Sequence, residues 1–534
     1  MGGISRLCIR RIPGRIARME HVPIARWEWA LAITAVCAAL VLGGANLGAA
    51  SLWHDEAVQV LVAKRIAETG EAVLPSGKPH PVAPAFNAVM AAFIKVFGDG
   101  EAVVRTPSVL FNAVNVLITF LVVRLLLGSG PAVLAAFAMA FSPWTVAWAR
   151  EARFYTMQQT CYLLFVWAFW KGIQGIGQPS RPDAASPVLF ITAALGAYLA
   201  GLMVSLHSLL FLCVAGLFCA AMAASERRLR SRWTALLAAT GLIAAGTIVF
   251  YRLTLPAHDA SVVFSAASSN AHVYDPAQGN PVYYAAWLWN NLGSGFFLLA
   301  VAGTLLMIAR EGRRGMYMAL AFWGPLIVLS LALAYRRHRF LYFAFPFYTA
   351  AFSYAIVVAL PWIIRARCGS PGRKIAAAAA ILFIARVAWS GVLLACDSLE
   401  AARGADTTLA TRHPQYRKPC LYVRERLAPD TMVVADTYVS ALYYIGRVDE
   451  WFPSARLPSE RWEIGTEGLK TLDDLKAFVA RHPKGYFIAE WYRFGFFPEQ
   501  EPDRAWVNEH MIRIEEASTG DVTLYAWGIP QSPP

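Results

Sequence analysis

The chain has 534 residues, of which 57% are hydrophobic and only 16% charged, far more apolar surface than a soluble core can hide, so the bilayer is its solvent. The net charge of +13 is gathered in short clusters between apolar runs, a pattern of membrane topology that argues against a nucleic-acid partner. The eight cysteines lie mostly in or beside those runs, with Cys420 the clear exception, and imply no disulfide framework.

In chain order, residues 1–26 form a basic N-terminus carrying Arg6, Arg10, Arg11, Arg15, Arg18 and Arg26. The positive-inside rule places it on the cytoplasmic side. Runs of spanning length, about 17 to 25 residues, follow at 27–49, 103–127, 131–148, 157–173, 187–204, 208–224, 233–255, 284–309, 316–335, 340–362 and 375–396. The first is too long for a secretory signal and lacks a small-residue cleavage site, so it reads as retained. With eleven spans, the basic loops at Arg227–Arg232, Arg310–Arg314 and Arg365–Lys374 all fall inside. The expected fold is therefore a polytopic α-helical membrane domain over 27–396, N-terminus inside, with a soluble α/β domain at 397–534 outside.

Three stretches leave the in-and-out threading, all on the expected outer face. Loop 51–102 has helical periodicity in 55–68 and 83–97 around a Gly/Pro-rich bend at 75–84, which predicts two surface helices joined by a turn. Loop 256–283 is polar and long, the character of a lid or of disorder. The tail alternates strand-like TMVVADTY, helix-like LDDLKAFVARH, and strand-like GYFIAEWY and DVTLYAWG, the pattern of a small α/β domain.

The residues that carry chemistry gather beside these stretches. In SLWHDEA the triplet His54, Asp55 and Glu56 follows directly on the first span. Adjacent carboxylates at a membrane boundary are costly unless solvated, paired or used. In AYRRHRFLYFAFPFY, Arg336, Arg337, His338 and Arg339 form a basic cluster on the wrong side for the orientation rule. Guanidinium forks bind phosphate oxygens, and a lipid-borne phosphate would suit that depth. AWAREARFYTM places Arg150, Glu151, Arg153 and Tyr155 in a short outer turn, whose plainer reading is a salt-bridged helix end. Lys78 and His80 occupy the Gly/Pro bend, where a solvated lysine is the ordinary reading. A divalent metal held by His54, Asp55, Glu56, His80 or His338 has no ligand spacing of a known type behind it, so metal dependence stays open.

In order along the chain, WHDEA, GKPHPVAPAFNAVMAAFIKVFG, GEAVVRTPSVLFNAV and AREARFY resemble the GT-C superfamily of membrane glycosyltransferases. The likeness runs over roughly 27–365 and is greatest to the bacterial branch holding protein O-mannosyltransferase-like enzymes and lipid A aminoarabinose transferases. That resemblance implies a bacterial inner-membrane enzyme working on the outer, periplasmic face. It would move a sugar, with inversion, from a polyprenyl-phosphate carrier to a lipid A, glycan or protein acceptor. It also implies that Asp55 is the essential acidic residue, with Glu56 beside it, and that Lys78, before Pro79, contacts the carrier phosphate. Gly77 stands where the aminoarabinose transferases carry an acidic residue. Arg339 and Tyr342 resemble the family's late arginine and tyrosine, while Arg336, Arg337 and His338 join the phosphate site on the topological argument alone.

Two other readings fit parts of the pattern. A flippase for lipid-linked sugars would also place charge at membrane depth, but the sequence has no inverted repeat and its charges gather at one face. A non-catalytic receptor or assembly factor would use the same charges only as solvated surface and would tolerate Asp55→Asn.

Overall fold

A computed structural model describes residues 23–174, 186–254, 280–333, 336–366, 370–403, 414–453, 464–491, 494 and 500–529. The N-terminal arginines up to Arg18 and nearly all of the lid candidate 256–283 lie outside the described residues.

The helices, in chain order, are α1 (Arg26–Gly44), α2 (His54–Thr69), α3 (Pro84–Phe97), α4 (Glu101–Leu127), α5 (Ser129–Phe141), α6 (Pro143–Ala149), α7 (Tyr155–Gln174), α8 (Pro187–Leu202), α9 (Phe211–Ser225), α10 (Arg230–Thr254), α11 (Tyr283–Asn291), α12 (Ser294–Glu311), α13 (Arg313–Ala332), α14 (Phe345–Ala366) and α15 (Pro371–Ala402). Among the described residues eight helical stretches are long and apolar enough to cross a membrane, nine if α5 and α6, bent by 56°, count as one. Gly128, at φ 94°, lets α4 fold straight back into α5, a backbone region closed to most L residues. The α5–α6 bend falls at Ser142–Pro143, where proline removes a helical donor and starts the next helix.

Two expectations change. The run at 284–309 is two helices, broken at Leu292–Gly293, where Gly293 takes φ 94°. The stretch after Arg336 does not enter its helix directly: His338–Ala344 forms a 3-10 turn before α14. The tighter turn keeps Arg339 and Tyr342 off the regular α-helical stripe.

Packing inside the bundle relies on aromatic rings and small residues. Trp144, Tyr162, Phe211, Phe218, Tyr317 and Tyr348 are buried to 1% or less. Gly303 of α12 lies so close to α14 that an added Cβ would stand 1.8 Å from the Ala351 carbonyl oxygen; small residues permit such approach where lipid supplies no hydrophobic drive. By contrast α10 and α15 are exposed along most of their length, the surface expected of helices that face lipid.

Among the described residues from 414 on, five strands form one sheet in the order β2-β1-β3-β5-β4, from β1 (Met432–Ala435), β2 (Glu450–Trp451), β3 (Gly485–Glu490), β4 (Ile512–Arg513) and β5 (Val522–Trp527). β1 is parallel to β2 and β3, and β5 is antiparallel to β3 and β4. All six residues of β3 are buried, as befits a central strand covered on both faces. Its helices are α16 (Arg417–Arg426), α17 (Tyr438–Ile445), α18 (Leu472–Arg481) and α19 (Glu501–His510). The domain does not hang free. Val439, Trp451 and Ile464 pack with Ala57, Val58 and Val62 of α2 and with Leu74 in one buried cluster.

Candidate active site

The chain that leaves α1 to reach Asp55 is short and rich in small residues, so its carbonyls need outside donors. Three arginines supply them. Arg150 donates to Leu42 O (3.3 Å), Gly43 O (3.2 Å), Asn46 O (3.2 Å) and Ala45 O. Arg105 donates to Leu47 O (3.0 Å), Ala50 O (2.8 Å) and Ser51 O (3.0 Å). Arg417, from α16, donates to Gly48 O and Ala50 O. Positive charge is favourable here because the carbonyl end of a helix carries partial negative charge.

Held this way, the linker delivers His54, Asp55 and Glu56 to the first turn of α2, where the helix dipole favours carboxylates. Glu56 is fully buried. Arg105 Nε reaches Glu56 Oε1 at 2.9 Å and Nη2 reaches Oε2 at 2.7 Å, and Ala152 N donates to Oε1 at 2.6 Å. The sequence suggests Glu56 as a second catalytic carboxylate; here both of its oxygens are engaged, by a guanidinium fork and a backbone amide, in a structural pairing. Arg105 itself is a residue that sequence reasoning missed. Its signal was a lone cation set five positions into the apolar run GEAVVRTPS.

Asp55 is different. Its side chain is 27% exposed, and its Oδ2 lies 3.1 Å from Arg339 Nη1 and 3.3 Å from Arg153 Nη2. Arg153 Nη1 also donates to the Asp55 carbonyl at 2.8 Å. Three distant segments, WHDEA, AREARFY and RRHRFLY, thus converge on one carboxylate. Burial raises the Asp55 pKa, but Arg153, Arg339 and then His54 outweigh it and hold it at about 2. His80 is pushed down to about 4, by burial first and by Arg153 second, so it is neutral near pH 7.

Around this carboxylate the walls are aromatic. The Arg153 guanidinium lies 5.2 Å from the Phe154 ring centroid, 5.6 Å from Tyr155 and 6.0 Å from Trp53. Tyr155 packs edge-on against Trp148 at 4.5 Å, and Trp148 reaches His338 at 5.9 Å. His338 stacks flat on Trp287 at 4.8 Å. Tyr342 is fully buried, its carbonyl accepting from Gln159 Nε2 at 2.8 Å. Arg336 is 6% exposed; its Nη2 donates to Ser330 O at 2.7 Å, while Nε and Nη1 are buried with no hydrogen-bond partner among the described residues.

The remaining sequence candidates sit at the edges. Lys78 is half-buried in the bend, where its carbonyl accepts from Leu74 N at 2.8 Å. Glu151 is buried and its carbonyl accepts from Arg153 N at 2.7 Å, which closes the turn that aims Arg153. Arg337 is half-buried and its carbonyl accepts from Phe340 N at 3.0 Å at the start of the 3-10 turn. Among the described residues no group of three or more His, Cys, Asp or Glu side chains is placed to hold a metal ion.

Set against known proteins, the family model described as dolichyl-phosphate-mannose-protein mannosyltransferase matches residues 79–251. A search of curated proteins finds no match. Among solved structures the chain is similar to ArnT from Cupriavidus metallidurans bound to undecaprenyl phosphate, with TM-score 0.62, 13% identity, and coverage of 94% of this chain and 98% of that one. It is similar also to the archaeal oligosaccharyltransferase AglB from Archaeoglobus fulgidus in complex with an inhibitory peptide and a dolichol-phosphate, with TM-score 0.58, 12% identity, and coverage of 93% and 74%. The chain has the GT-C fold, that of the membrane glycosyltransferases, and is a multi-pass membrane protein.

Proposed function

We propose that this protein transfers a sugar from a polyprenyl-phosphate carrier to an acceptor at the outer face of a bacterial inner membrane, with inversion at the anomeric carbon. The observation that carries the reading is the Asp55 carboxylate held between Arg153 and Arg339 at the end of α1's exit linker. It pairs an acidic group with cations of the kind that hold a phosphate. The two solved relatives were captured with undecaprenyl phosphate and with a dolichol-phosphate, which supports a lipid phosphate as the donor's leaving group.

In this scheme the acceptor oxygen attacks the anomeric carbon from the face opposite the carrier. The bond from that carbon to the phosphate oxygen breaks, and the phosphate keeps the electron pair. Arg339, Arg336 and Lys78 offset the charge that develops there, a contribution that fixed cations supply without reorganisation. If the acceptor is a hydroxyl, its proton goes to Asp55; if it is already a phosphate, no base is needed and Asp55 serves to orient. Held at about 2, Asp55 is a weak base while both arginines face it. A phosphate that draws Arg339 away removes one of its two cations and strengthens it. Glu56 takes no part in proton transfer; with Arg105 it fixes the backbone on which Asp55 stands.

The test is a panel of polyprenyl-phosphate sugars offered to the purified protein in lipid with membrane acceptors. Free carrier phosphate and a product of inverted configuration should appear together. Carrier movement across the bilayer without cleavage of any donor would replace this reading with lipid translocation.

A further inference from the structure

Besides Arg105, three residues of the sheet domain, Gln415, Arg417 and Tyr444, reach the Asp55 linker directly. Tyr444, on α17, accepts the Leu52 backbone N–H at 2.7 Å and donates to Glu101 Oε1 at 3.0 Å. That same oxygen accepts from Arg417 Nε at 2.6 Å, and Arg417 holds the Gly48 and Ala50 carbonyls. Ser51 closes the set. Its hydroxyl accepts from Arg417 N at 3.0 Å and its N–H donates to Gln415 Oε1 at 3.3 Å. Tyr444 is buried, so the hydrogen bond it accepts is not one that water readily replaces.

Two further contacts involve residues next to the site. Tyr443 OH donates to Asp99 O at 2.5 Å, bracing the chain just before α4, which bears Arg105. Gly465, at φ 84°, lies against Ser76 so closely that an added Cβ would stand 2.8 Å from the serine Cβ, and Ser76 is two residues from Lys78.

Resting on the transferase reading above, we propose that the C-terminal sheet domain is a working part of the catalytic centre, with Tyr444 and Arg417 as positioning residues that set Asp55 through the linker 47–52. Leu52 is three residues before Asp55, and the carbonyls of residues 47, 48, 50 and 51 all point to guanidinium groups, one on a membrane helix and one on the sheet domain. Without the second, Arg105 alone would hold residues 47–51, with Arg150 reaching only as far as Asn46, in a linker whose sequence, GANLGAAS, has few side chains able to fix it. Misplacement by about 1 Å is enough to cost roughly a hundredfold in rate.

The experiment uses the full chain in lipid, with Tyr444→Phe, Arg417→Ala and Arg417→Lys, and with Lys476→Ala on the exposed face of α18 as control. Hydrogen exchange at the Leu52 amide and transfer kinetics are read on the same preparations, alongside the melting temperature. The expected result is faster exchange confined to residues 47–53 in Tyr444→Phe and Arg417→Ala. With it should come a fall in kcat of roughly 10- to 100-fold, a donor KM within about twofold of the parent, partial rescue in Arg417→Lys and no change in Lys476→Ala. Unchanged exchange at Leu52 overturns the clamp itself, whatever the activity. Faster exchange with undiminished kcat overturns its catalytic role. A parent that exchanges as expected but transfers nothing defeats the transferase reading, and this inference falls with it.

Discussion

Asp55 and Arg339 stand 284 residues apart and share one ion pair, 3.1 Å between Oδ2 and Nη1. On the function proposed above, Arg339 serves both this aspartate and the carrier phosphate. Loss of a charged hydrogen bond to a phosphate costs about 1.5–3 kcal/mol, roughly 10- to 100-fold in affinity. Arg339→Ala should raise the donor KM by that factor. Arg339→Lys should restore only part of it, because a point charge does not reproduce the planar fork. Binding of a non-hydrolysable donor to the three proteins, followed calorimetrically, checks the order.

Arg153 acts on two titrating groups, and the signs are fixed. Asp55 is lowered from 3.8 to about 2, so the stabilisation of its ionised form is present above its ordinary value and is lost only as pH falls through the folded one. His80 is lowered to about 4 and stays neutral. In the parent, kcat/KM should thus show no ionisation of either group between about pH 5 and 8. Removing the cation in Arg153→Gln raises both pKa values, so the acid limb of the profile should move upward. Coincident limbs in parent and variant would mean that Arg153 does not control Asp55.

Glu56 and Arg105 form the buried pair under the site, at 2.7 Å with both side chains 2% exposed or less. Breaking a buried pair from one side leaves a charge without its partner and costs about 3–5 kcal/mol. Glu56→Gln and Arg105→Ala should both lower the melting temperature in lipid clearly, whereas Asp55→Asn, at a partly exposed position, should leave it close to the parent's. A stable but inactive Glu56→Gln would return that carboxylate to the chemistry.

Arg336 offers a sharper separation of binding from folding. Two of its buried nitrogens have no partner among the described residues, so the folded protein already bears the cost of a desolvated cation. Arg336→Leu should hold or raise the melting temperature while weakening capture of the carrier phosphate roughly tenfold. Titration with polyprenyl phosphate alone, without sugar, measures that directly.

Much of this arrangement is legible in the sequence where local chemistry is enough to write it. Periodicity in 55–68 and 83–97 and the bend between them correspond to α2 and α3, because an amphipathic stripe and a Gly/Pro break are local signals. The convergence of His54–Glu56, Arg153 and Arg339 could be suspected only from their common odd position at span ends, since a contact across 284 residues leaves no local mark. Asp55 and Glu56 look alike in sequence as adjacent acids, and only the partner, Arg105, tells them apart. The roles of Arg417 and Tyr444 were hidden for the same reason: the sheet domain reads as a separate soluble unit, and nothing in YRKPC or SALYYIG announces that their side chains hold a linker near residue 50. The family match, at residues 79–251, begins past Asp55 and ends before Arg339, so it covers neither partner of the central pair.

The most direct measurement is transfer of labelled sugar from polyprenyl-phosphate donors by the parent beside Asp55→Asn, with folding of each protein verified by its melting temperature. Removal of a general base typically costs 10²–10⁴ in rate. A hydroxyl acceptor should thus lose about that much with Asp55→Asn, at an unchanged melting temperature. A folded Asp55→Asn protein that transfers as fast as the parent would contradict the account at its centre.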